Sequence, residues 1–166
     1  MREPLNPTAK AILAGGLIAG TVDIGSASLI NWVSPILILR AIATGLLGAA
    51  SFRDGAASAF LGLFLQWIMS LIIATIFVLV ARKRAVWVRR WKLWGFVYGL
   101  VIFVVMNYLV VPLSRAPFDP FIFIPVKILE NLAAMILFGW IVAFCAARML
   151  AIPPEAPGRD SSGRAA

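Results

Sequence analysis

Histidine is absent from this chain, cysteine occurs once, at Cys145, and only 7 of the 166 residues are acidic. Each scarcity excludes a class of chemistry. Without histidine there is no imidazole metal ligand, no axial His for a haem and no Ser-His or Cys-His nucleophile pair. A single cysteine cannot close a disulfide within the chain. Charged residues make up 13% of the sequence. Soluble domains carry about a quarter, so too few are present here to cover a water-facing surface. No nucleophile–base pair, metal cluster or phosphate loop is left to read, so neither an enzyme nor a bound cofactor or metal is expected.

What the chain has in quantity is apolar. Hydrophobic residues make up 62% and the mean hydropathy is +0.97. They fall in long runs, and the stretch that orders them is Ala81 to Lys92, ARKRAVWVRRWK. It holds six basic residues (Arg82, Lys83, Arg84, Arg89, Arg90 and Lys92) and no acid. Lys and Arg concentrated in a short loop between spans mark the cytoplasmic side and set the topology. Trp87, Trp91 and Trp94 stand in or beside this loop, where amphipathic rings settle at headgroup level. The net charge of +8 suggests nucleic acid at first sight, but the charges sit at the ends of apolar runs instead of on one folded face. The expected partner is therefore a lipid bilayer and not nucleic acid.

Read in order, the chain is expected to be all-α and integral to a membrane, with four spans at about 11–33, 55–80, 93–111 and 125–150. These would form a single transmembrane domain over residues 1–152, followed by a disordered cytoplasmic tail at 153–166. The first run resembles a signal peptide at its start, with small residues Gly25 to Ser28, but Ile24, Leu29, Ile30, Trp32 and Val33 carry it on, and an uncleaved helix is favoured. Residues 34–48, SPILILRAIATGLLG, make an apolar segment of fifteen residues. At about 1.5 Å per residue it falls short of the roughly 30 Å hydrocarbon core, so an interfacial or re-entrant helix on the outer side is expected. A fifth full span is the minority alternative. Asp54 reads as an N-cap of the second span, and Asp119-Pro120 as a start for the fourth. With both termini cytoplasmic, basic residues divide eleven inside and four outside (Arg40, Arg53, Arg115 and Lys127), as the positive-inside rule asks.

Two patterns inside the runs carry meaning. Small residues recur at spacing four, among them Gly16 and Gly20, Ser58 and Gly62, Gly95 and Gly99, Gly139 and Ala143. They let helix backbones approach closely in a medium without a hydrophobic drive between helices. Packing within the chain is the first expectation, and a homo-oligomer or larger membrane complex the second. The other pattern is polar: Asp23, Gln66, Asn107, Glu130 and Asn131 come from four spans, all toward the outer half. Intramembrane polar groups are costly and face protein or a cavity. Glu130 has Lys127 one turn back as a local partner. Asp23 is expected to pair with Arg40, which lies on a polar stripe with Thr44, Gly48 and Ser51; Arg53 is the runner-up, with a neutral acid if neither reaches it.

The segments AGGLIAGTVDI (14–24), LRAIATGLLGAASF (39–52) and VMNYLVVPLS (105–114) resemble an uncharacterised family of small four-helix bacterial inner-membrane proteins. The resemblance covers most of the chain and implies a four-span topology in the bacterial cytoplasmic membrane; it implies no activity. Members often carry histidine where this chain has Gln66, so any metal or haem role in relatives does not carry over. The function expected first is a structural or accessory helix bundle. The alternative is a small transporter or permeation protein for an ion, proton or small polar solute, using an outer pocket around Asp23, Asn107 and Glu130.

Overall fold

A computed structural model describes residues 6–53, 55–115 and 125–150. The expected N-cap Asp54, the Asp119-Pro120 start and the tail at 153–166 lie outside the described residues. Among the described residues there is no strand, and five helical stretches are long and apolar enough to cross a membrane: Pro7–Asn31, Pro35–Phe52, Gly55–Lys83, Trp91–Leu113 and Pro125–Leu150.

Helix α1 (Pro7–Asn31) begins a turn before the apolar run does, because Asn6 and Pro7 form a start signal of their own. The Asn6 side chain accepts from Thr8 N–H at 3.1 Å, and Pro7 occupies the first turn, where its missing N–H costs nothing. The helix ends at Trp32, which adopts the left-handed conformation (φ 54°). Ser34 then caps α2 (Pro35–Leu47), accepting from Leu37 N–H, with Pro35 again in the first turn.

Helix α2 is 13 residues long, about 20 Å at 1.5 Å per residue. The stretch Pro35–Phe52 is not one rod. Gly48 takes φ 62°, a backbone that side chains disfavour, and the 3₁₀ turn Gly48–Phe52 folds back so that Ser51 Oγ donates to Arg40 O at 2.6 Å. Helix α3 (Gly55–Lys83) follows, then the short α4 (Ala85–Arg89) and α5 (Trp91–Val105). α5 continues through a π-turn at Met106–Val110 into α6 (Val111–Leu113). Pro112 explains that turn, since its ring and missing N–H disturb the bond to the carbonyl four residues back, and widening the helix relieves the clash. Helix α7 (Pro125–Leu150) completes the described chain.

The long helices pack antiparallel to their neighbours. Gly16 meets Leu71, Gly20 meets Ser70 and Asp23 meets Gln66, so α1 rises as α3 descends. Gly95 faces Gly139, Gly99 faces Ile136, and Asn107 meets Asn131, which sets α5 against α7 in the same sense. Both ends of α2 stay at one end of this bundle. It leaves the end of α1, lays Leu39 over Gly62 of α3, and reaches Arg115, whose N–H donates to Gly45 O at 3.1 Å. The close approach at Gly62 is to the Leu39 main-chain carbonyl, which leaves no room for a Cβ.

The core is built of small and medium side chains, with Ala11, Ala19, Ala74, Ala81, Ala143 and Ala146 around Phe77, Val78, Phe138 and Val142. Much of the apolar residue content faces outward instead, as at Phe60 (73% exposed), Phe64 and Ile76. Soluble monomers rarely show continuous apolar surface of this kind. At the basic end, Trp87 and Trp94 are partly buried against the core. They stack at 4.2 Å and 9°, and Phe77 sits against Trp87 and Tyr98 at 5.4 and 5.1 Å. The short α4 brings Trp87 into this ring cluster, whose tilted and stacked pairs add to the apolar burial.

Candidate functional site

At the end opposite the basic loop, α1, α2, α3, α5 and α7 enclose a cavity of about 410 Å³. Asp23, Gln66, Lys127 and Asn131 line it with Asn31, among apolar walls that include Met106 and Met135. Ile38 and Ile42 of α2 form part of its wall. Such a volume, apolar with a few convergent polar groups, is in the range of small-molecule sites.

The polar groups are held by one another. Gln66 Nε2 donates to Asp23 Oδ2 at 2.8 Å, joining α3 to α1. Asn131 Nδ2 donates to Asn107 Oδ1 at 3.2 Å, and Asn107 Nδ2 donates back to Phe103 O at 2.8 Å. Asn107 stands in the π-turn, so the widened helix that Pro112 requires also aims this amide across to α7. Lys127 donates to Ile30 O at the end of α1 and lies 3.4 Å from Glu130 Oε2.

Four of the six polar residues singled out by sequence thus come together: Asp23, Gln66 and Asn131 on the cavity wall, and Asn107 behind Asn131. Glu130 stands beside the cavity, on Lys127. Arg40 does not join. Its Nε donates to Gly55 O at 3.0 Å, in the first turn of α3, and the expected Asp23–Arg40 pair is replaced by Asp23–Gln66. The reason is geometric. Arg40 lies on the α2 face turned to the start of α3 with Ala56 and Ala59, whereas Ile38 and Ile42 face the cavity.

Sequence reasoning gave Lys127 no place in the pocket. Its signal was available: Lys127 and Asn131 are four apart on α7, and Met135, Phe138 and Val142 continue the same inward stripe.

The glycines are used inside the chain. A Cβ on Gly16 would lie 3.0 Å from Leu71 Cα, and one on Gly20 would strike Ser70. One on Gly95 would lie 3.0 Å from Ala143 Cβ, and one on Gly99 2.5 Å from Ile136 Cα. The six basic residues expected to set the topology, Arg82, Lys83, Arg84, Arg89, Arg90 and Lys92, are exposed at the end remote from the cavity. Among the described residues no three His, Cys, Asp or Glu side chains stand together as a metal site would require.

Chemically, one carboxyl group and three side-chain amides, with the Lys127 ammonium on the same wall, suit a small cation or a compact solute carrying both charges. No group here is arranged as a nucleophile with its base. Comparison with protein-family models, curated proteins and solved structures found no match to this chain.

Proposed function

We propose that this chain is a four-crossing protein of a bacterial inner membrane whose outer-end pocket takes up a small polar solute or ion. In this reading both termini and the basic loop are cytoplasmic, and α2 is an interfacial lid rather than a fifth span. The observation that carries it is the convergence of Asp23, Gln66, Lys127 and Asn131 on one cavity from three long helices. Support for four crossings comes from the antiparallel register of α1 with α3, which puts the end of α1 and the start of α3 on one side. An α2 that crossed would separate them. Support for the orientation is the charge of the α3–α5 loop. The resemblance of residues 14–114 to small four-helix inner-membrane proteins favours the same location.

A second reading, an accessory bundle within a larger membrane complex, draws on the basic half of the molecule. There Phe77, Val78 and Val142 are fully buried and the rings of Trp87 and Trp94 close the end.

Cysteine chemistry separates the two. In a Cys145-free background, Ala134→Cys places a thiol on the cavity wall. It should react with a small charged methanethiosulfonate added from the outside, and Gln66→Leu should slow that reaction. No reaction at Ala134→Cys in folded protein means a dry bundle and favours the accessory reading.

Threading is tested in the same background. Ser51, attractive as a reporter on sequence grounds, is fully buried, so the exposed Arg53 takes its place. An impermeant thiol reagent applied to intact cells should label Arg53→Cys and leave Ala85→Cys untouched. Label at Ala85→Cys overturns the orientation.

A further inference from the structure

A second recess lies at the basic end, independent of the solute pocket. Between α1 and α5, along the outward face of α7, runs a groove of about 600 Å³. Ile18, Trp140 and Ile141 form its apolar length, and Trp91 and Phe144 stand with Lys92 at its basic end. Among the described residues Lys92 is the only charged side chain on its wall.

The mouth is built. Trp91 and Phe144 meet edge to face at 5.4 Å and 64°. Lys92 Nζ lies 5.7 Å from the Trp91 ring centre, and the Arg148 guanidinium 5.1 Å from that of Phe144. Each ring of the aromatic pair thus holds a cation, Lys92 from α5 and Arg148 from α7. Trp140 Nε1 donates to Lys92 O at 2.9 Å, which ties the groove wall to the first turn of α5. No carboxylate of the described residues answers these cations. Among the described residues the acids are Asp23 and Glu130, both at the opposite end.

We propose that this groove is a binding site for an anionic phospholipid, with one acyl chain along Ile18, Trp140 and Ile141 and the phosphate between Lys92 and Arg148. Basic recesses between membrane helices select lipid headgroups in this way, by charge above and apolar contact below. A neutral lipid fills the apolar length equally well, and only the mouth discriminates. Two cations already positioned by rings lose less freedom on binding a phosphate than free side chains do.

The test uses the full chain, reconstituted in an equimolar mixture of phosphatidylglycerol and phosphatidylcholine, released into mild detergent and weighed by native mass spectrometry. One retained phosphatidylglycerol should dominate over phosphatidylcholine. The double variant Lys92→Gln/Arg148→Gln should lose that preference by roughly thirtyfold, as two surface cations near a membrane contribute. Arg82→Gln/Lys83→Gln removes the same charge from the same end and should keep it. Ile18→Trp, which fills the groove and leaves every charge in place, should lower retention of the tightly held lipid. The proposal is overturned by equal loss in the two charge-removing pairs, by full retention in folded Ile18→Trp, or by no preference for phosphatidylglycerol in the starting protein.

Discussion

Gly139→Leu is expected to leave no monodisperse folded protein, whereas Gly25→Leu should behave as the unaltered chain does. The contrast follows from where a Cβ would go. At Gly139 it would strike Gly95 O and lie 2.7 Å from Gly99 N and 3.0 Å from Gly99 Cα. These are main-chain atoms of α5, fixed in their own helix, so they cannot rotate aside; α5 and α7 would have to separate. Gly95, Gly99 and Gly139 therefore form the point where the two backbones cross, and α5 has no other long helix packed so closely along its length. Overpacking a tight core site costs about 1–3 kcal/mol for small additions, so Gly139→Ala should already lower the melting temperature. A leucine adds three further carbons to a contact that has room for none. At Gly25, by contrast, nothing lies within 4 Å of the added atom. Elution profile and thermal melting in detergent read both variants. A Gly139→Leu protein as well folded as Gly25→Leu rules out this crossing of α5 and α7.

That glycine contact was partly legible in the sequence. Spacing four marked Gly95 with Gly99 and Gly139 with Ala143 as faces of close approach, but nothing local says which face meets which. The helical stretches were legible for a stronger reason. A run of some twenty apolar residues has few alternatives in lipid, where each backbone polar group must be satisfied within its own segment. Their edges were less so. The apolar run starts at Ala11, yet the helix starts at Pro7, because capping by Asn6 extends order into residues that are not themselves hydrophobic.

The site was legible as a set of costly residues and illegible as a set of pairs. Depth along a helix follows from counting, so Asp23, Gln66, Asn107 and Asn131 were placed together. Azimuth and partner choice do not follow from counting. The Arg40 expectation failed on this point, since a charge nearby in sequence lay on the wrong face of α2, and the main-chain carbonyl of Gly55 was a partner that no side-chain inventory shows. Lys127 was missed for the converse reason. It has an acid three residues on, at Glu130, and that local pair looked sufficient.

The second large effect is expected at Gln66. Gln66→Leu should destabilise the protein more than Asp23→Asn does, and Asp23→Leu combined with Gln66→Leu should recover part of the loss. The Gln66 amide is the side-chain donor on the Asp23 carboxylate, at 2.8 Å. Removing it leaves that oxygen facing a leucine in a half-buried position within the bundle, and leaving an acceptor without its donor costs about 1–3 kcal/mol. Asp23→Asn keeps an oxygen that accepts the same hydrogen bond, so it removes the charge and spares the contact. Replacing both residues with leucine deletes donor and acceptor together and substitutes apolar contact, which is close to neutral for a buried pair. The coupling measured between Asp23→Leu and Gln66→Leu should therefore be well away from zero, whereas Asp23→Asn and Arg40→Gln, on separate partners, should add. The cycle is read from thermal or denaturant unfolding in detergent, with the Ala134→Cys reaction as a check that the cavity persists. Strict additivity between positions 23 and 66, or coupling between 23 and 40, means that Asp23 is held by a different partner. Because the pocket wall is made by this pair, the same loss at Gln66 should appear as slower labelling at residue 134, tying the stability of α1 on α3 to the access of water to the site.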